Sequence, residues 1–145
     1  MKINKKGQFI GRGEETALLI IKDLFGENAE YSIQVPFKDL LDDDWKDTVT
    51  ERQDKETLDI VVKLNPKNKA DTDWNYIIVF RIQDNHHRGM HTQERDLVQK
   101  KTLEWNGCIV VDIWEYDCPN LFKEDKIKAI SEIKESISFE KKLQI

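Results

Sequence analysis

The sequence contains little cysteine, proline and glycine, with two Cys, three Pro and six Gly among 145 residues. Two cysteines are too few for a disulfide framework or a cysteine-rich zinc module. No apolar run approaches the ~18 residues of a membrane-spanning helix, so we expect no integral membrane protein. The first fifteen residues lack the apolar segment of a secretory signal peptide. Free thiols without a signal peptide favour a cytoplasmic protein.

The sequence also has no excess of basic residues, because it contains 23 Lys and Arg and 28 Asp and Glu, which gives a net charge of -5. Residues 38–59 hold nine acids and four bases, which accounts for the whole excess. Residues 81–101 hold five bases, three acids and all three histidines. Non-specific nucleic-acid binding requires many phosphates to be neutralised, so the composition argues against it. A local basic site within 81–101 remains compatible with the sequence.

Hydrophobic patterning predicts one domain whose elements follow the order α-β-β-β-α-β-α. The acidic segment 38–54 is poorly periodic and is predicted as a loop with room for one short helix. A strand, a helix and a second strand follow one another over 74–114, which predicts a parallel crossover. Helical spacing predicts helices over 13–26, 91–107 and 123–137, and alternation or apolar runs predict strands over 31–37, 57–64, 74–82 and 108–114.

Charged residues stand inside two of the predicted strands. Asp59 is the only acid in the strand 57–64, and Arg81 and Gln83 end the next strand before Asp84. Carboxylates on neighbouring strands can hold Mg²⁺ through oxygen, and the metal polarises a phosphate and lowers the pKa of bound water. The pattern is therefore compatible with metal-assisted phosphodiester cleavage. Asp59 could equally form an ion pair with Arg81 across adjacent strands or with Lys63.

Two further pairs have an ordinary and a functional interpretation. His87 and His91 are four residues apart, a spacing found in zinc sites, but no cysteine lies nearby. Loop histidines that are solvated or contact phosphate are the alternative. Asp96 and Lys100 are also four apart on the predicted helix, where an ordinary surface pair is as compatible with the spacing as a catalytic role.

The segment from Tyr76 to Asp117 carries a set of motifs found together in one family. They are Asp84-Asn85-His86-His87 after a strand, then Arg95-Asp96, Lys100, Leu103 and Gly107 along a helix, and an apolar strand ending at Trp114-Glu115. In this set the sequence resembles the PD-(D/E)XK nuclease superfamily, in particular small domains related to very-short-patch repair endonucleases. The resemblance covers residues 10–118.

The resemblance implies a single nuclease-like domain over 1–145, with an αβββαβ core over about 10–118, a mixed sheet flanked by helices and a C-terminal helix over 123–137. It implies a Mg²⁺- or Mn²⁺-dependent endonuclease that acts on DNA, in repair, recombination, restriction or phage metabolism. A homodimer is compatible with the resemblance. The implied residues are Asp59, Gln83, His87 and Lys100 for catalysis, Asp59, Asp84 and Glu14 or Glu15 for the metal, and Arg81, His86, Arg88 and Lys101 for nucleic acid.

The third-strand motif of this superfamily, acid-x-Lys, falls on Arg81 and Gln83 in this chain. Arginine is not a metal ligand, and it brings a positive charge to the position of an acid. The alternative function is therefore a catalytically inactive nuclease-fold protein that binds nucleic acid or protein. A guanidinium folded onto Asp59 would favour that alternative.

Overall fold

The computed structural model describes residues 2–3, 9–10, 13–51, 53–64, 76–83, 90–115, 117–123 and 125–140. A two-residue strand pair, β1 (Lys2–Ile3) and β2 (Phe9–Ile10), precedes helix α1 (Glu14–Phe25). The sequence patterns predict α1 but not the strand pair. None of the described helices is long and apolar enough to span a membrane.

A four-stranded mixed sheet forms the centre of the described structure. Its strands are β3 (Ala29–Pro36), β4 (Thr57–Leu64), β5 (Tyr76–Gln83) and β6 (Cys108–Trp114), and they lie side by side in that order. β3 pairs with β4 and β4 with β5 antiparallel, whereas β5 and β6 are parallel. Helix α3 (Met90–Trp105) connects the two parallel strands. The predicted α/β class, the mixed sheet flanked by helices and the parallel crossover are confirmed.

The remaining helices are short or lie at the C-terminal end. The acidic segment after β3 contains 3₁₀ turns at Phe37–Leu40 and Gln53–Lys55 and the four-residue helix α2 (Asp43–Lys46). Helices α4 (Pro119–Phe122) and α5 (Lys126–Glu140) follow β6. The predicted C-terminal helix over 123–137 is displaced by three residues, because Asp125 precedes α5 and its side chain accepts the Lys128 N–H.

Two apolar clusters cover the two faces of the sheet. One contains the buried residues of α1, α4 and α5 together with Ile60, Val62, Phe80 and Ile82. The other lies towards α3 and the acidic segment. It contains Phe37, Leu40, Leu41, Leu58, Val61, Val79, Leu103, Cys108 and Val110. The alternation predicted for β5 is thus reproduced, because Phe80 and Ile82 lie in the first cluster and Val79 in the second. Leu58 packs in the cluster of Phe37, whereas Ile60, two residues further along β4, lies in the first cluster.

A candidate site where β4 and β5 separate

Arg81 lies in the middle of the sheet and forms a two-point ion pair with Asp112. Its side chain projects from β5, and the parallel register sets it directly beside Asp112 on β6. Nε donates to Oδ1 over 2.6 Å and Nη2 donates to Oδ2 over 2.9 Å. Arg81 is only 5% exposed. Such a bidentate contact is the strong form of a charge-assisted hydrogen bond. The predicted alternative of an Arg81–Asp59 ion pair is wrong, because Arg81 pairs with Asp112 across the other edge of β5.

The remaining donor group of Arg81 reaches helix α3. Nη1 donates to the carbonyl oxygen of Asp96 over 2.7 Å and to Oε1 of Gln99 over 3.2 Å. Gln99 in turn donates from Nε2 to Oε2 of Glu56, just before β4. A single buried cation therefore connects β5, β6, α3 and the start of β4. This arrangement fixes the position of α3 over the sheet.

Asp59 lies at the point where the β4–β5 ladder ends. The last pair towards this end is Ile60 with Phe80, and the next position along β4 is Asp59. The backbone N–H of Ile82 donates to Asp59 Oδ2 over 2.8 Å, so a side-chain carboxylate takes the place of a strand carbonyl. A carboxylate that accepts a backbone N–H is stabilised in its charged form. The two strands diverge here and leave an acid between them.

Glu14, on the first turn of α1, approaches the same end of the sheet through Gln34. Gln34 Nε2 donates to Glu14 Oε2 over 3.0 Å, and Thr57 Oγ1 donates to Gln34 Oε1 over 3.1 Å. Gln34 has a positive φ of 50°. Its neighbours in β3, Ile33 and Val35, pair with Ile60 and Leu58 of β4, so Asp59 is the residue opposite Gln34. The carboxylate of Glu14 is therefore held one strand away from Asp59. Glu15 is exposed.

Three other predicted residues lie around this region at different depths. Gln83 ends β5 and is only 3% exposed, and its carbonyl oxygen accepts the N–H of Glu115. Lys100 is half-buried on α3, one residue after Gln99, which contacts Arg81. Lys101 is exposed on the outer side of α3.

Four predicted residues and one side chain of the zinc alternative lie outside the described structure. Asp84, His86, His87 and Arg88 all precede α3 in the undescribed stretch 84–89, and the side chain of His91 is not described. The metal and phosphate roles expected for these residues stay predictions.

Glu14 and Asp59 are two of the acids predicted as metal ligands, and both are described in the structure. Glu14 and Asp59 offer carboxylate oxygens, which are the ligands that Mg²⁺ prefers. Within the described ranges, no three His, Cys, Asp or Glu side chains converge in a way that could hold a metal ion. The carboxylates of Glu14 and Asp59 are compatible in their chemistry with a hard cation. Asp84, the third acid implied by the sequence resemblance, lies outside the described residues.

The residue that the sequence patterns miss is Asp112. It is the only charged residue in the apolar strand β6, just as Arg81 is the only one in β5. A single Arg and a single Asp on two apolar strands joined by a parallel crossover are a sequence signal for an ion pair between those strands. Gln34, Gln99 and Glu56 carry no comparable signal, because their roles depend on a left-handed backbone position and on the rotation of α3.

Comparisons with known proteins return no match. No family model, curated protein or solved structure matches the chain.

Proposed function

We propose that this chain is a metal-dependent DNA endonuclease whose site lies where β4 and β5 separate. The proposal begins with the sequence resemblance to PD-(D/E)XK nucleases. Apart from the four-residue helix α2 and the 3₁₀ turns, the elements from α1 to β6 follow the order α-β-β-β-α-β, which is compatible with the core that this resemblance implies. Within that order, Asp59 and Glu14 occupy the strand and helix positions at which the resemblance expects metal-binding acids.

The observation that carries the proposal is the direction of the Arg81 side chain. Its hydrogen bonds go to Asp112, Asp96 and Gln99, all on the β6 and α3 side. A guanidinium folded onto Asp59 would have neutralised the carboxylate, since arginine does not deprotonate to make room for a metal. Asp112 instead compensates this charge. Asp59 is therefore not the ion-pair partner of Arg81, which supports its assignment to a cation although an arginine stands at the position of the family's acid.

In this proposal the residues at the site have separate roles. Asp59 and Glu14 hold the cation, with Asp84 as the third acid. The metal, when bound, polarises the scissile phosphate and lowers the pKa of a bound water. Gln83 and His87 orient that water and the phosphate, and Lys100 on α3 supplies positive charge. The Arg81–Asp112 pair keeps α3, and with it Lys100, at a fixed height over the sheet.

The second candidate function is a non-catalytic nucleic-acid or protein-binding module on the same fold. It is favoured by the burial of Arg81, at 5% exposure, in the place of an acidic ligand. A site with one acid fewer holds a divalent cation less tightly, because affinity depends on the number of charged ligands. DNA binding without cleavage would distinguish this module from the enzyme.

Cleavage of defined DNA tests the proposal. Linear, nicked and branched duplexes are incubated with the protein in Mg²⁺ or Mn²⁺, and products are resolved on denaturing gels. Asp59→Asn is the informative variant, because an amide oxygen can still accept the Ile82 N–H while the charge is removed. Asp23→Asn is the matched control, since Asp23 is an exposed acid on α1 paired with Lys126.

We expect metal-dependent cleavage by the wild type and by Asp23→Asn, and a loss of at least about a hundredfold in Asp59→Asn, the scale of removing one group that stabilises charge in the transition state. Absence of cleavage of every duplex in both metals, with the DNA still bound, would assign the chain to the second candidate function. Equal cleavage by both variants would place the activity elsewhere.

A further inference from the structure

Helix α3 presents apolar side chains to solvent on the side facing away from the sheet. Of the five large apolar side chains that are exposed among the described residues, three lie on this helix: Leu97 at 51%, Val98 at 53% and Trp105 at 68%. Leu97, Val98, Lys101 and Trp105 follow helical spacing and share one face, so the exposed Lys101 lies between the apolar side chains. Leu97 and Trp105 are two turns apart, or about 12 Å along the helix axis.

A second aromatic ring extends this face. Trp45 on α2 is partly buried, and its ring centroid lies 5.7 Å from that of Trp105. The backbone N–H of Asp42 donates to Oδ1 of Asn106, which ties the acidic segment to the end of α3. Leu97, Val98, Trp105 and Trp45 are here called the α3 patch. Exposed apolar side chains grouped on one helix face, with charged residues among and around them, are typical of protein interaction sites.

The rim of the α3 patch beside Trp105 is acidic. Residues 42–47 hold four Asp and one Lys, and all four carboxylates belong to exposed residues. This negative charge acts on nearby groups, because Asp42 contributes to raising the pKa of the Cys108 thiol. An apolar stripe beside a charge of one sign favours a partner with apolar anchors and the opposite charge.

We propose that the α3 patch binds a basic amphipathic helix of a partner protein. The partner's apolar side chains pack along Leu97, Val98 and the exposed ring of Trp105, and its lysines or arginines face the carboxylates of residues 42–47. Two turns of α3 are enough to pair with two turns of a partner helix. Tryptophan is the residue most enriched among those that dominate binding energy, and Trp105 is placed as the anchor.

The charge of the rim excludes the other classes of occupant. A two-fold dimer of this chain through the patch would use the same surface on both copies, so the acidic segments would lie against each other or beside the same interface. DNA and anionic membranes are negatively charged and would be repelled by the same carboxylates. The proposed nuclease site lies on the other side of α3, so this inference does not depend on catalysis.

Calorimetric titration with two synthetic helical peptides tests the proposal. Both peptides carry leucine on one face, and the polar face is lysine in one and glutamate in the other. The protein variants are Trp105→Ser and the triple variant Asp42→Asn, Asp43→Asn, Asp44→Asn. The controls are Ile127→Ser, which removes an 85% exposed apolar side chain on α5, and Asp23→Asn.

We expect the lysine peptide to bind the wild type with an affinity that falls as salt is added. Trp105→Ser and the triple variant should each weaken it at least about tenfold, while the two controls change it less than about twofold. Absence of binding, equal binding of both peptides, or equal loss in Trp105→Ser and Ile127→Ser would overturn the proposal. A dimer in sedimentation velocity that Trp105→Ser abolishes would overturn it as well, because the occupant would then be a second copy.

Discussion

The carboxylate of Asp112 accepts two hydrogen bonds from one edge of the Arg81 guanidinium, with Nε 2.6 Å from Oδ1 and Nη2 2.9 Å from Oδ2. This pair explains how an arginine is accommodated in the most apolar strand of the sheet. Two buried opposite charges compensate each other, and the remaining donor group is satisfied by Asp96 and Gln99 on α3. The pair also keeps the positive charge away from Asp59.

Removing one member of this pair should destabilise the fold strongly. Asp112→Ala leaves the Arg81 charge buried without its carboxylate, and we expect a loss of about 3–5 kcal/mol in the free energy of unfolding measured with urea. Asp54→Ala removes a carboxylate from the exposed Lys38–Asp54 pair and should change the free energy of unfolding far less, because solvent screens exposed ion pairs.

The double variant Arg81→Met with Asp112→Leu completes this comparison. Replacing both charges by apolar side chains leaves no buried unpaired ion, so its loss should be smaller than that of Asp112→Ala alone. A double variant that is less stable than Asp112→Ala would mean that the contacts of Arg81 with α3 are more important than its pairing with Asp112.

Glu14 and Glu15 are adjacent acids of the same charge, and their surroundings in the structure differ. Glu14 is held towards the sheet by Gln34, whereas Glu15 is exposed. We expect Glu14→Gln to weaken Mn²⁺ binding and DNA cleavage at least about tenfold and Glu15→Gln to change them less than about twofold. Both substitutions keep the side-chain shape, so each controls for the other. A larger effect of Glu15→Gln would contradict the assignment.

Gly13 sets the start of α1 and therefore the position of Glu14. Its φ of 87° is left-handed, and an added Cβ would lie 3.2 Å from the carbonyl oxygen of Leu121. Gly107 has a φ of 86° with nothing within 4 Å of an added Cβ. Gly107→Ala should therefore cost about 1–2 kcal/mol of unfolding free energy through backbone strain alone. Gly13→Ala should cost more than Gly107→Ala in the same urea experiment, and equal losses would show that Leu121 moves freely.

Burial raises the pKa of the Cys108 thiol to about 11, and the negative charge of Asp42 adds to this shift. The folded state therefore retains the thiol proton more strongly than the unfolded chain does. The protonated thiol thus contributes to the free energy of unfolding below pH 9, and this contribution is lost as the pH rises through 11. A shift of two pKa units corresponds to about 2–3 kcal/mol.

The difference in unfolding free energy between wild type and Cys108→Ala isolates this contribution from the other groups that titrate in the range. We expect the advantage of the wild type to decrease between pH 9 and pH 11. A difference that stays constant across this interval would show that the Cys108 thiol titrates alike in both states.

Strands β4 and β6 could be predicted to the residue, because their apolar runs end sharply at turns. The bounds of helix α2 and of the two 3₁₀ turns could not be predicted, because elements of three or four residues leave no periodicity to detect. The sequence also points to Asp59 as a charge in an apolar strand. It does not determine the partner of Arg81, because Asp59 and Asp112 stand on the two strands that flank β5 and only the side-chain direction decides between them.

The central claim is that Asp59 binds a cation and that Arg81, which is held by Asp112, does not replace that cation. Calorimetric titration of Mn²⁺ into the wild type, Asp59→Asn, Asp23→Asn and Arg81→Glu tests it most directly. We expect saturable binding by the wild type and by Asp23→Asn and none by Asp59→Asn. Absence of binding by the wild type, with binding gained in Arg81→Glu, would contradict the claim and show that the arginine has replaced the metal.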